Sequence, residues 1–447
     1  MDSRHPDRNA LDRFSRGQAP ATEERWIEDH LRSGCGRCQR EVDDILLRAL
    51  SPAAPAAAPG EEEVWRRLTS LVERRLAEVA VERSEAPDLV AELLAHPPAD
   101  QAALVRTGGR FQNVAVCELL IERSFEEGFR DPLRSVKLAE LALLITEHLE
   151  EHLYGRSVVL DFRARAWAFL GNARRIAFDL AGAEEALAEA DRCLEAGSAD
   201  PLEEARILDL RASLLGDQGR FEQAAEVLDV VIDIYDDLRD AHRKGRAMVS
   251  KGKFLGYSGF PEEAIQVIRK GLGFVDWDRE PRLVLVARHN LAWFLNDCGR
   301  STEALGQLQR FRHVYSEFDP WTELRLAWLD GRIAGRLGRL EEAEETLREV
   351  RRRFLEGGYG YDASLVTLDL AHLYLEEGRT AEVRELAEEM LSVFLSQDIH
   401  RQALAALSVF QRAVELDSAT PGLVQEITLY LLRARRNPWL RFEAAAA

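Results

Sequence analysis

A spacing of about 40 residues recurs through the chain and limits the folds that it can adopt. In each unit a small residue ends one predicted helix, and a small apolar residue follows five positions later, early in the next helix. The pairs are Ala181/Ala186, Gly219/Ala224, Gly259/Ala264, Gly299/Ala304, Gly338/Ala343 and Gly378/Val383. Successive pairs lie 38 to 40 residues apart, a period typical of solenoid proteins. Such units bury their apolar faces only against their neighbours, so the spacing predicts an all-α repeat array.

Helical periodicity runs from Glu61 almost to the last residue and divides the chain into regions. We expect a first helix pair over 111–152. Seven further pairs are predicted at about 157–196, 201–238, 239–277, 281–318, 322–356, 361–397 and 399–434. The predicted domains are a small helical domain at 1–50, a Pro/Ala linker at 51–60, capping or connecting helices at 61–110, the repeat array at 111–434 and a tail at 435–447. The three prolines of the linker favour an extended spacer.

Four of the units resemble the tetratricopeptide (TPR) repeat family. The matching residues are Asn290–Leu295 with Gly299 and Ala304, Leu370–Tyr374 with Gly378, Ala212, Leu215 and Gly219 with Ala224, and Gly252, Leu255 and Gly259 with Ala264. In that family the small residues let two antiparallel helices approach closely. The resemblance implies a right-handed α-solenoid of about eight TPR-like helix pairs. The period here is nearer 40 residues than the usual 34, which predicts longer helices or turns.

The same resemblance places seven side chains in the inner groove of the solenoid. They are Lys253, Asn290, Trp293, Arg325, Arg332, Arg336 and His372. This set is mostly cationic and includes one large aromatic residue, although the formal net charge of the chain is −19. A cationic groove in an acidic protein favours a protein partner that offers an acidic or extended peptide. A solvated helix face without a ligand is the alternative interpretation.

One segment near the N-terminus has the spacing of metal ligands. His30 precedes Cys35 and Cys38, and two thiolates three positions apart around a tight turn can reach one ion. Sulfur and imidazole suit tetrahedral Zn²⁺, and His5 is the remaining candidate for a fourth ligand. The sequence therefore predicts one structural zinc ion that stabilises a segment with little apolar core. A redox-responsive site, whose thiols oxidise and release the metal, and a segment without metal are the alternatives.

Residues 1–50 also resemble the zinc-containing anti-sigma factor domain. The residues that match its pattern are His5, Leu11, Phe14, Gly17, Trp26, His30, Cys35 and Cys38. His30 and Cys35 enclose four residues, one more than is usual in that family. The resemblance implies a helical zinc-knuckle domain that docks on a sigma factor or a similar regulator. Family members often continue into a membrane helix, whereas this chain continues into predicted helical repeats.

Composition and motifs argue against several other classes of function. The negative net charge disfavours direct nucleic-acid binding, and no apolar run reaches the length of a membrane span. The polar first residues and five Cys predict a reduced, cytoplasmic protein. Only 5 of the 59 basic residues are Lys, which is typical of GC-rich bacterial coding. The segment from His148 to His152 matches the inverted zinc-peptidase motif H-x-x-E-H, but we expect it to be a solvated helix end.

These observations predict a non-enzymatic interaction scaffold with a regulatory role. The groove would bind a protein partner, and the zinc domain would dock on a sigma factor or another regulator. The alternative is an assembly adaptor in which the zinc domain is purely structural. A zinc metallopeptidase centred on His148 and His152 is the third hypothesis.

Overall fold

The computed structural model describes residues 5–15, 19–32, 35–49, 61–128, 130–395, 401–435, 437 and 440–442. Over these residues the chain is all-α, as the repeat spacing predicts, and none of the described helices is long and apolar enough to cross a membrane. The predicted linker at 51–60 lies outside the described residues, as do Gly17 and Gly34.

The first ten helices run from Arg8 to Ala196. They are α1 Arg8–Ser15, α2 Ala21–Arg32, α3 Gly36–Ala49, α4 Glu61–Ala95, α5 Pro98–Thr107, α6 Val114–Glu127, α7 Pro132–His148, α8 Glu151–Tyr154, α9 Arg156–Ile176 and α10 Leu180–Ala196. A 3₁₀ turn at Gly109–Phe111 precedes α6.

Twelve further helices follow in the described residues. They are α11 Pro201–Asp217, α12 Phe221–Asp237, α13 Ala241–Tyr257, α14 Pro261–Leu272, α15 Pro281–Asp297, α16 Ser301–Tyr315, α17 Pro320–Arg336, α18 Leu340–Glu356, α19 Gly360–Glu376, α20 Thr380–Leu395, α21 Arg401–Glu415 and α22 Pro421–Ala434. From α9 onward they form seven pairs that begin and end close to the predicted bounds. The predicted pair at 111–152 corresponds to α6 and α7, followed by the short helix α8.

The repeated small residues act in the turn and in the packing of each pair. Gly219, Gly259, Gly299, Gly338 and Gly378 all adopt φ between 68° and 94°. This left-handed conformation costs glycine no steric penalty and lets the chain leave one helix and enter the next. The Ala residues five positions later, at 224, 264, 304 and 343, are each 0% exposed. A side chain no larger than methyl lets the two helices of a pair pack closely.

The first predicted pair of small residues, Ala181/Ala186, is placed wrongly. Ala181 lies inside α10 and does not end a helix. The turn before α10 is made by Phe178, which adopts φ 67°. A non-glycine residue in this conformation is uncommon, so the residue type did not predict a turn at this position. Ala183, five positions after Phe178, is fully buried and takes the packing role.

The chain divides into two compact units, residues 1–210 and 211–447. In the first unit, α4, α6, α7 and α9 surround an apolar core that includes Val90, Leu120 and Ile145. Helices α1 to α3 belong to this unit, and α2 packs against α8.

The second unit is the longer part of the repeat array. Its two largest apolar clusters include Phe294 and, further along, Phe354, Tyr374 and Phe410. Helix α22 packs against α19 and α21 and also contacts α13, a helix near the start of the unit. The stack of this unit is therefore closed on itself by its last helix.

Candidate functional site

Four potential metal ligands meet beside the first three helices, and we call His5, His30, Cys35 and Cys38 the His/Cys cluster. His5 precedes α1, and His30 lies in the last turn of α2. Cys35 precedes α3, and Cys38 lies in its first turn. One ligand atom from each of the four lies within 4.8 Å of all the others. The fold thus brings together all four residues that the sequence analysis selected.

The distances from His5 to the other three members of the His/Cys cluster are close to those of a tetrahedral metal site. His5 Nδ1 lies 3.3 Å from His30 Nε2, 3.2 Å from Cys35 Sγ and 3.6 Å from Cys38 Sγ. Tetrahedral zinc with Zn–N near 2.0–2.1 Å and Zn–S near 2.3 Å separates its ligand atoms by about 3.3–3.8 Å. The cluster could therefore hold one metal ion, and its two sulfur and two nitrogen donors suit Zn²⁺.

The His/Cys cluster rests on a very small apolar core. Cys38 is 1% exposed and packs with Ala10, Leu11 and Ile27. Burial, and then the neighbouring Cys35, raises the pKa of the Cys38 thiol to about 11. A metal ion bound here would have to displace that proton, since thiols ligate as thiolates.

The peptidase motif at His148 does not form the geometry that its chemistry requires. Such motifs place both histidines on one face of a single helix. Here α7 ends at His148, Leu149 is extended, and His152 lies in the separate short helix α8. The His152 imidazole is exposed and lies 2.9 Å from Glu150. The zinc-peptidase hypothesis therefore loses its structural basis.

The second unit contains a cavity of about 270 Å³, which we call the groove cavity. Its walls combine aromatic and aliphatic side chains with cationic and polar groups. The lining residues are Lys253, Tyr257, Arg282, Leu285, Val286, His289, Asn290, Trp293, Tyr315, Phe318, Thr322, Arg325, Trp328, Asp362, Leu365, Leu432 and Arg435. A small, largely apolar concavity with a few polar groups is the usual form of a ligand site.

Four of the seven predicted groove residues line this cavity: Lys253, Asn290, Trp293 and Arg325. Asn290 is 8% exposed, and its amide makes no hydrogen bond within the described part of the chain. Arg325 is exposed and has no ion-pair partner among the described residues. Burial, and then the charges of Arg325 and Arg332, lowers the pKa of His289 to about 4. The cavity therefore offers an unpaired amide and an unpaired cation beside a neutral imidazole.

The other three predicted groove residues lie outside the groove cavity and are already paired. Arg332 Nη2 lies 3.0 Å from Asp297 Oδ1, its Nε lies 3.3 Å from Asp369 Oδ1, and the guanidinium covers the Trp293 ring at 4.0 Å. Arg336 and His372 both approach Glu376, at 3.5 Å and 3.4 Å. Arg332 is thus held by two carboxylates, and its guanidinium packs on the Trp293 ring, which lines the cavity.

Sequence reasoning missed several residues of the groove cavity. His289 lies four positions before Trp293, so the helical period could have placed both on one face. Tyr315 donates or accepts a hydrogen bond to His289 Nδ1 at 3.2 Å, a pairing that follows only from how α15 meets α16. Arg435 comes from beyond the last helix and pairs with Asp362 Oδ2 at 2.6 Å. No local sequence pattern predicts that contact.

Comparison with known proteins places the fold but not the activity. No protein-family model matches the chain, and no curated protein matches its sequence significantly. Among solved structures it is similar to the crystal structure of a Rap protein complexed with competence and sporulation factor, with a TM-score of 0.54 and 14% sequence identity. The similarity covers 72% of this chain and 87% of the Rap chain. At this identity the likeness shows the fold alone: the chain is an all-α helical-repeat protein.

Proposed function

We propose that the chain is a non-enzymatic interaction scaffold whose groove cavity binds an extended, acidic segment of a protein partner. The observation that carries this proposal is that the amide of Asn290 and the cation of Arg325 both line the groove cavity without a partner among the described residues. The Asn290 amide atoms are not among the buried polar atoms that lack a partner, so water in the cavity can reach them. A ligand that hydrogen-bonds this amide in place of water would gain about 0.5–1.5 kcal/mol.

The chemistry of the walls supports an extended peptide with acidic groups. Trp293, Trp328 and Tyr257 offer flat apolar contact surface, which anchors side chains at low entropic cost. The Asn290 amide can donate to one peptide group and accept from another. Arg325 and Lys253 supply positive charge for a carboxylate. The similar solved structure holds a Rap protein with a bound factor, which supports binding by this fold through analogy only.

Peptide binding to the full chain tests this proposal directly. We would measure fluorescence anisotropy with two labelled ten-residue peptides that share apolar residues but carry either Glu or Lys. The Glu peptide is expected to bind, and Arg325→Ala or Asn290→Ala should weaken binding about fivefold, equivalent to roughly 1 kcal/mol. Arg353→Ala is the matched control, because Arg353 is exposed near the end of α18 and does not line the cavity. Equal binding of both peptides, or equal losses in Arg325→Ala and Arg353→Ala, would contradict the proposal.

For the first unit we propose that the His/Cys cluster holds one structural Zn²⁺ and that α2 docks on a regulator, which by resemblance is a sigma factor. Trp26 of α2 is 42% exposed, and a large exposed aromatic residue supports a docking surface. The packing of α2 against α8 favours the alternative, an assembly adaptor in which the zinc domain only stabilises the first unit.

Affinity capture from native lysate separates these two roles. We would compare the full chain with Trp26→Ala and identify retained proteins by mass spectrometry, with bound zinc measured on each. A sigma factor retained by the full chain and lost in Trp26→Ala, at unchanged zinc content, supports docking. Retention of the same non-sigma partners by both chains favours the adaptor.

A further inference from the structure

Two indole rings that line the groove cavity are connected through polar groups behind its wall. Trp293 and Trp328 meet edge to face, with ring centroids 5.0 Å apart, and we call them the Trp pair. Trp328 donates its indole Nε1–H to Asp369 Oδ2 at 2.6 Å. The other oxygen of Asp369, Oδ1, lies 3.3 Å from Arg332 Nε, and the Arg332 guanidinium packs on the Trp293 ring at 4.0 Å. The Asp369 carboxylate therefore contacts one ring directly and the other through Arg332.

These contacts join three consecutive repeats. Trp328 and Arg332 lie four positions apart in α17, so they point to the same side of that helix. Trp293 belongs to α15 and Asp369 to α19, the corresponding helices of the two neighbouring pairs. Trp328 is 6% exposed, and the side chains of Arg332 and Asp369 are 17% and 16% exposed. Solvent therefore screens the ion pair only in part.

The arrangement requires an ionised carboxylate at position 369. A carboxylate accepts hydrogen bonds with both oxygens, whereas an amide offers one acceptor and one donor. In Asp369→Asn the oxygen can still accept from Trp328, but the amino group then faces the N–H donors of Arg332. Arg332 would be attracted by Asp297 alone, whose Oδ1 lies 3.0 Å from Arg332 Nη2. Its place on the Trp293 ring would no longer be fixed from two sides.

We propose that Asp369 is a positioning residue that fixes the Trp pair and thereby sets the affinity of the groove cavity for its ligand. Asp369 does not line the cavity, so it acts through the side chains that do. Aromatic anchors bind more tightly when they are held in place beforehand, because little further ordering is needed on binding. This inference rests on the proposed function in assuming that the cavity binds an acidic segment.

The negative charge of Asp369 makes the test decisive, because its direct effect on an acidic ligand has the opposite sign. A carboxylate behind the wall repels such a ligand, so loss of the charge alone would strengthen binding. Loss of the fixed ring positions weakens it. We expect the second effect to dominate, so that Asp369→Asn in the full chain weakens binding of the Glu peptide about fivefold, equivalent to roughly 1 kcal/mol.

Glu344→Gln is the matched control. The side chain of Glu344 is 17% exposed and also connects an aromatic residue with a guanidinium. It accepts from the Tyr374 hydroxyl at 2.9 Å and pairs with Arg379 at 2.7 Å, and it does not line the groove cavity. Both substitutions should lower the urea midpoint of the second unit, but only Asp369→Asn should weaken binding of the Glu peptide.

Fluorine NMR of the full chain labelled with 5-fluorotryptophan follows the Trp pair without any ligand. Trp293→Phe and Trp328→Phe assign the two resonances among those of the eight tryptophans. In Asp369→Asn both resonances are expected to shift or broaden, because neither ring keeps its polar contact unchanged. In Glu344→Gln both should stay at the positions of the parent chain.

Three results bear on the inference and the proposed function separately. Unchanged resonances of the Trp pair in Asp369→Asn, or equal changes in Glu344→Gln, would overturn the inference, because Asp369 would then have no particular hold on the rings. Altered resonances with unchanged or tighter binding of the Glu peptide would also overturn it, since ring position would not set affinity. If the parent chain does not bind the Glu peptide, the proposed function fails and with it the effect on affinity, while the resonances still decide whether Asp369 positions the Trp pair.

Discussion

Replacing one ligand of the His/Cys cluster is expected to unfold the first three helices. Among the side chains that the structure describes there, four apolar or sulfur-containing ones are buried: Ala10, Leu11, Ile27 and Cys38. Complete burial of Leu11 and Ile27 contributes about 1.5–3 kcal/mol each. Structural zinc in small peptides contributes about 10–16 kcal/mol. The metal, if bound as proposed, therefore dominates the stability of this segment, and Cys35→Ser removes most of that contribution.

The expected loss is local and can be measured on the full chain. Helices α1, α2 and α3 contain 8, 12 and 14 residues. They hold about a tenth of the helical residues described, so the far-ultraviolet ellipticity at 222 nm should fall by about that fraction. Amide exchange over 5–49 should lose its protection, whereas exchange in α6 and α9 should keep it. Elemental analysis should find about one zinc per parent chain and much less in Cys35→Ser.

Cys193→Ser is the control for this experiment. Cys193 is a partly buried thiol of α10 outside the His/Cys cluster, so its replacement should change neither zinc content nor helicity. Full protection of α1 to α3 in a zinc-free Cys35→Ser chain would refute the reasoning, because these helices would then be stable without metal. Zinc retained at the parent level would show that the metal is held elsewhere.

Three further predictions concern the second unit. Phe294→Ala, at a side chain 1% exposed, should lower the free energy of unfolding of this unit by about 3–5 kcal/mol in urea denaturation followed by tryptophan fluorescence; a loss below 1 kcal/mol would contradict the packing. Gly256→Ala should also destabilise the unit, by about 1–3 kcal/mol, because the added methyl would overlap the Phe294 ring. Gly306→Ala is the control and should not destabilise the unit, because open space surrounds Gly306. The pKa of His289 is lowered to about 4, so between pH 6.5 and pH 4 the unfolded chain binds a proton that the folded chain does not. Stability should fall by about 2 kcal/mol as the pH drops through that range, and a pH series of urea unfolding should show a shallower fall in His289→Gln.

The repeat spacing predicted the helix pairs well because it reports a local requirement. A left-handed turn needs glycine, and a close helix crossing needs alanine, so Gly259 and Ala264 mark their unit without reference to the rest of the chain. The rule failed at Phe178, where a bulky residue adopts φ 67°. There the surrounding packing imposes the conformation, which the residue type alone does not predict.

The two candidate sites differ in how much the sequence could predict. Three ligands of the His/Cys cluster could be predicted from their spacing and donor chemistry. The fourth, His5, could not be predicted in this way, because its approach to the others depends on how α1 packs. Predicting the groove cavity required knowing which face of each helix points inward, and a resemblance supplied this for Lys253 and Trp293. It also required knowing which cations stay unpaired. Arg332 and Arg325 have the same side chain, seven residues apart, yet only Arg332 meets two carboxylates.

The net charge of −19 affects the rate at which an acidic ligand associates with the chain. The net negative charge opposes the approach of an acidic segment, and the cations of the groove cavity attract it only over distances near the Debye length of about 10 Å at 0.1 M salt. Electrostatic steering therefore does not accelerate encounter, and affinity must come from contacts made inside the cavity. Because Asp362 already neutralises Arg435, those contacts reduce largely to Asn290, Arg325, Lys253 and the aromatic walls.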